Sequence, residues 1–135
     1  MGPDRLQLTV IAAISAATVI FICVLFIATS WAAANGRLRR NQYVGIRSPS
    51  TMRSDQAWVA AHRAALRLTP LYLIITAIAC AALVWAALYA ATPAVVIIVG
   101  LGGFGALVAV LIYTSIIAGK AAKSAGGQPD DRRRR

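Results

Sequence analysis

The sequence predicts an all-α membrane protein: three transmembrane helices, with an amphipathic interfacial helix between the first and second. Three observations carry this. The 135 residues are 59% hydrophobic and only 13% charged, against roughly a quarter charged in soluble domains. The charges are segregated, with none between Arg5 and Arg37 and none between Arg67 and Lys120. A polar, arginine-bearing island from Asn35 to Leu68 separates the apolar runs. An ionised side chain at the bilayer centre costs about 2.5–3.5 kcal/mol on insertion scales, so uncharged runs of this length are what a membrane span requires.

Span one runs over about 8–33, span two over about 71–91 and span three over about 94–118. Each meets the roughly 20 residues needed to cross ~30 Å of hydrocarbon. The runs lack the period-2 alternation of a membrane barrel and the polar face of a soluble bundle. Span one carries hydroxyls, among them Ser15, Thr18, Thr29 and Ser30, that can return hydrogen bonds to the preceding turn. Trp31 sits at its inner end, and Asn35-Gly36 is positioned to stop the helix through a left-handed glycine cap. A secretory signal is the alternative for this run. Its apolar stretch of about 26 residues exceeds the 7–15 of a signal core, so an uncleaved anchor is the favoured reading.

Residues 37–53 read as irregular, punctuated by Gly45 and Pro49. A helix then begins near Ser54, with Ser54 or Asp55 as its cap. At helical period Trp58, Ala61, His62, Ala65 and Leu68 share one side, with Arg63 and Arg67 opposite. That pattern predicts a helix on the inner membrane surface, Trp58 dipped into lipid and the arginines facing phosphates. Pro70 fits the first turn of span two or a kink before it. Span two is alanine-rich, and span three carries Gly100, Gly102, Gly103 and Gly105. Small residues four apart allow close helix packing in lipid. A spare small-residue face on span three fits a homo-oligomer or a partner subunit.

The organisation expected is therefore an extracytoplasmic segment 1–7, a membrane domain 8–118 with its motif segment at 35–68, and a basic, disordered cytoplasmic tail 119–135. The net charge is +10, with +6 in the island and +4 in the tail. Both basic segments flank spans, so the positive-inside rule explains them without nucleic acid. It places the island and C-terminus in the cytoplasm and the N-terminus outside. Arg132 to Arg135 would tether the tail to anionic lipid.

Enzymatic chemistry is poorly supplied. Gly100-Leu101-Gly102-Gly103-Phe104-Gly105 satisfies the dinucleotide fingerprint, but that motif needs a preceding strand and a water-facing helix start. His62 is the lone histidine, and the chain has no glutamate. Ser54, Asp55 and His62 are explained by a short capped helix. Cys23 and Cys80 lie in spans and read as packing residues. No cofactor and no metal are expected.

The segment Asn41-x-x-Val44-Gly45-Ile46-Arg47-Ser48-Pro49-x-Thr51-Met52-x-Ser54-Asp55-x-Ala57-Trp58-x-x-Ala61-His62-Arg63 resembles the signature of the SdpI family of bacterial membrane proteins. The resemblance covers about residues 8–118. It implies three spans with this motif between the first two, in the bacterial cytoplasmic membrane. It also implies a non-catalytic role in immunity to a membrane-active toxin peptide, and in signalling through capture of a repressor. The family's founding immunity protein is similar to this chain only in its second half. By resemblance Asn41, Gly45, Ile46, Arg47, Thr51, Ser54, Trp58 and Arg63 match the pattern and would bind a partner or acidic lipid. Physically, Asn41 can bridge a turn, Gly45 permits a sharp bend, and Arg47 offers a planar fork for carboxylate or phosphate. The competing reading is a small structural accessory subunit of a larger membrane complex.

Overall fold

The computed structural model describes residues 3–89 and 92–126. Four helices follow in order: α1 (Pro3–Ala34), α2 (Asp55–Leu66), α3 (Thr69–Tyr89) and α4 (Pro93–Gly126). No strand occurs among the described residues. α1, α3 and α4 are each long and apolar enough to cross a membrane. Two compact units divide the chain: residues 1–25 with 70–111, and residues 26–69 with 112–135.

The first unit joins the early part of α1, α3 and the first half of α4 around Leu8, Ala12, Leu83, Ala86 and Val96. Glycine sets the approach distance. A Cβ on Gly103 would lie 2.8 Å from the Ala79 Cβ, and one on Gly100 would lie 3.0 Å from the Ser15 hydroxyl. Gly102 and Gly105 face open space. The glycine run is thus part of a continuous helix and serves packing. Large apolar side chains such as Phe21, Ile78, Ile98 and Leu101 point outward, the arrangement lipid requires. Arg5 donates to the Leu88 carbonyl at 2.7 Å, capping the end of α3 where unpaired carbonyls and the helix dipole favour a cation. Cys23 and Cys80 are free.

In the second unit, α1 ends as the Asn35-Gly36 pair predicts. Gly36 has φ +72°. The Gly36 amide donates to Ala33 at 3.2 Å and the Arg37 amide to Ala32 at 2.9 Å, the double closure of a Schellman cap. Arg37 stacks 4.7 Å above the Trp31 ring. α2 starts at its Ser54 cap, and Pro70 lies in the first turn of α3. An alanine seam joins α2 to α4: Ala57, Ala61 and Ala65 meet Ala118 and Ala122, with Ile46 over them.

Two expectations change. The tail expected to be disordered from 119 is helical as far as Gly126. Lys120 and Lys123 end the apolar run without ending the helix, because alanine and lysine are strong helix formers and Ala118 and Ala122 are buried against α2. The Arg132 to Arg135 cluster lies outside the described residues. The apolar side of α2, expected to enter lipid through Trp58, is instead buried by protein: Trp58 is 1% exposed and His62 fully buried.

Candidate functional site

The motif segment forms three interlocked layers. The first is a turn braced by Asn41. Its Oδ1 accepts the amides of Tyr43 at 2.9 Å and Val44 at 2.8 Å. Its Nδ2 donates to the Arg39 carbonyl at 2.9 Å. An Asn side chain of this length can mimic a backbone turn, which is why it suits the position. Arg47 closes the turn from the other end by donating to the Gln42 carbonyl. The tip carries Tyr43, 87% exposed, and Val44, 41% exposed.

The second layer is a hydroxyl box. Thr51 Oγ1 accepts the Ser48 amide at 2.8 Å and donates to the Ile46 carbonyl at 2.8 Å. Ser48 Oγ accepts the Thr51 amide at 3.2 Å. Thr51 is fully buried, so each of these polar atoms needs its partner. α4 passes beside this turn: a Cβ on Gly119 would lie 3.5 Å from the Ser50 hydroxyl.

The third layer couples the loop to α2. Gly45 has φ +105°, and a Cβ there would meet His62 Nε2 and the Trp58 ring, each at 2.8 Å. Only glycine both adopts that backbone and leaves that space. The next residue's amide, Ile46 N–H, donates to His62 Nε2 at 3.1 Å. His62 Nδ1 lies 2.8 Å from the Trp58 carbonyl one turn back. Since Nε2 accepts, Nδ1 carries the proton, and the bonding assigns one neutral tautomer. Desolvation by burial lowers the His62 pKa below its ordinary 6.5, outweighing the opposing bond to Trp58. Trp58 Nε1 donates to the Leu38 carbonyl at 3.0 Å, tying the start of the loop to the same helix face. The two rings lie 4.3 Å apart.

Ser54 completes the frame. Its Oγ accepts the Ala57 amide at 3.1 Å, and Asp55 sits at the positive end of the helix dipole. Asp55 also pairs with Arg40 at 3.5 Å. Both partners are exposed, so this pair is worth little.

Of the eight signature residues, Gly45, Ile46, Thr51 and Trp58 converge on one cluster. Asn41 and Arg47 brace the neighbouring turn, and Ser54 caps α2. Arg63 stands apart, exposed on the outer side of α2. His62, which the sequence explains as part of a short capped helix, is a further member of that cluster. Its helical register beside Trp58, on the apolar side of α2, was the available signal. Tyr43 carries no sequence signal of its own, because an exposed tip leaves no periodic trace. The imidazole and the buried hydroxyl are committed to structure. The exposed chemistry is cationic and aromatic: Arg39, Arg40, Tyr43, Arg47 and Arg53 on the loop. Among the described residues no three His, Cys, Asp or Glu side chains gather as a metal site would require.

A family model described as the SdpI/YfhL protein family matches residues 37–117, which is 81 of the 135 residues. No curated protein matches, and neither does any solved structure.

Proposed function

Because this multi-pass membrane protein belongs to the SdpI/YfhL family, we propose that it is a non-catalytic immunity or signalling protein whose motif segment is a cytoplasmic platform for capturing a protein or peptide partner. One observation carries this reading. The signature's buried polar groups are bonded internally, yet the loop they rigidify holds Tyr43 out at 87% exposure in the turn that Arg47 closes. An exposed aromatic among arginines is the composition of binding hot spots, and the ordering entropy of the loop backbone that carries it is already lost before binding. The basic flanks support a cytoplasmic location through the positive-inside rule.

The test is a photo-reactive residue at position 43, irradiated in native membranes. A discrete adduct that disappears in an Arg47→Ala background, with membrane insertion intact, is the expected result. An adduct pattern identical to that from a probe at Gly102 overturns the platform.

A second reading has its own observation. Gly102 and Gly105 have nothing within 4 Å where a side chain would stand, a surface that fits another helix in lipid. An accessory subunit of a larger complex would use it. Stoichiometric co-purification after mild detergent extraction, abolished by Gly102→Leu, favours that reading.

A further inference from the structure

We propose that the groove between α2 and the end of α4 binds one anionic phospholipid, its phosphate held by Arg63 and Arg67. The groove encloses about 770 Å³, within the ordinary range for a small-molecule site. Alanines from both helices line it, Ala60 and Ala64 on α2 and Ala121 and Ala125 on α4. Arg63 and Arg67 line it one helical turn apart. Like charges at this spacing repel. Among the described residues neither arginine is paired with a carboxylate, Arg40–Asp55 being the one ion pair there. A phosphate between the two guanidiniums would remove the repulsion and engage planar donors suited to it.

The position favours lipid over a soluble anion. Arg67 lies two residues before α3 begins at Thr69, and Ala121 and Ala125 end the apolar helix α4. Both walls therefore sit where candidate membrane spans meet water, the level of lipid headgroups. The alanine lining offers apolar surface for glycerol and the first methylenes, which inorganic phosphate cannot use. Asp55 also lines the groove, but at its far end. It is eight residues from Arg63, about 12 Å along a helix, and pairs with Arg40. The site is separate from the partner platform, because neither Tyr43 nor Arg47 lines it.

The test is native mass spectrometry of the detergent-solubilised full chain, titrated with dioctanoyl phosphatidylglycerol, dioctanoyl phosphatidylcholine or inorganic phosphate. One phosphatidylglycerol per chain should be retained, at least tenfold more tightly than phosphatidylcholine. The double variant Arg63→Gln/Arg67→Gln should lose that preference. Ala60→Trp, which fills the groove and leaves the charges in place, should weaken retention to a similar degree. Arg37→Gln/Arg39→Gln removes as much charge elsewhere and should retain the lipid. Equal retention by the Arg63/Arg67 double variant and wild type overturns the proposal. So does equal loss in the Arg37/Arg39 control, which would mean diffuse charge attraction. Inorganic phosphate competing as well as the lipid would mark a soluble-anion site and overturn it as well.

Discussion

Replacing Gly45 with alanine tests the geometry at the centre of the motif. The residue has φ +105°, beyond the left-handed helical well, where a side chain costs about 1–3 kcal/mol. The new Cβ would also stand 2.8 Å from both His62 Nε2 and the Trp58 ring. Forcing a methyl into a filled interior costs a further ~1–3 kcal/mol. If His62 moves to accommodate it, the Ile46 amide loses its acceptor, worth about 1 kcal/mol. The total is about 3–7 kcal/mol, and each 1.4 kcal/mol is tenfold in population, so the opened motif rises by about 10²- to 10⁵-fold. Gly36→Ala is the matched control. Its φ is also positive, +72°, but nothing lies within 4 Å of its added Cβ, leaving about 1–2 kcal/mol of backbone strain alone. Hydrogen exchange of the peptide containing Ile46, in detergent micelles, reads the opening directly. Gly45→Ala should speed that exchange at least a hundredfold and Gly36→Ala by no more than about thirtyfold. Equal exchange in the two variants would refute the claim that collision with His62 and Trp58, rather than loop flexibility, reserves position 45 for glycine.

Other substitutions probe the remaining layers. Thr51→Val keeps the shape but strands the Ile46 carbonyl and the Ser48 amide; a loss of about 2 kcal/mol in motif stability is expected, seen as faster proteolysis at Arg53, with Thr51→Ser close to wild type. Ser54→Ala should cost about 1 kcal/mol by removing the α2 cap, and Ser54→Asp should restore it, both measured by exchange in the first turn of α2. Burial lowers the His62 pKa below 6.5, so the unfolded chain takes up a proton that the folded motif refuses. The stabilisation from neutral His62 is therefore complete above about pH 6.5 and is lost progressively as pH falls below it; the protection factor at Ile46, which divides out the intrinsic pH dependence of exchange, should fall with acidification in wild type and stay flatter in His62→Gln. In the other unit, Gly103→Ala should lower the melting temperature in detergent because its Cβ meets Ala79 at 2.8 Å, whereas Gly102→Ala, facing open space, should not.

The spans were legible because the signal for them is additive. Long runs without charge mean lipid whatever their neighbours do, so Val24 or Ile98 need no tertiary context. The Asn35-Gly36 stop and the Ser54 cap were legible for a related reason: each acts over a few residues of backbone. The destination of Trp58 was not. A tryptophan on the apolar side of a short basic helix has the same pattern whether it enters lipid or a protein interior. What decides between them is the loop 38–51, which folds over that side and offers the Leu38 carbonyl to the indole. Nothing local in the sequence encodes a contact twenty residues away. The same holds for the helical stretch 119–126, where the lysines mark the end of hydrocarbon but Ala118 and Ala122 still have α2 to pack against.

A segment joining two spans faces a particular physical problem. It has few residues to spare and cannot build a large apolar core, so its stability must come from a small number of saturated polar groups. That accounts for the kind of signature seen here. Gly45 makes room, His62 accepts a backbone amide through its neutral nitrogen, Thr51 closes two backbone groups, and Asn41 replaces a peptide in a turn. Each requirement is met by one or two residue types at one position, which makes the motif specific even though it points inward. On the proposed function, recognition falls to side chains that the frame displays but does not need, Tyr43 and Val44 at the tip. These can change without unfolding the loop. Exchanging the tip residues 42–44 should therefore alter which partner is captured while leaving Ile46 exchange unchanged. Exchanging the inward residues should abolish capture only to the extent that it speeds that exchange. A variant such as Thr51→Val that loses capture with an intact exchange profile would show that the inward groups contact the partner themselves, and the division between frame and display would be wrong.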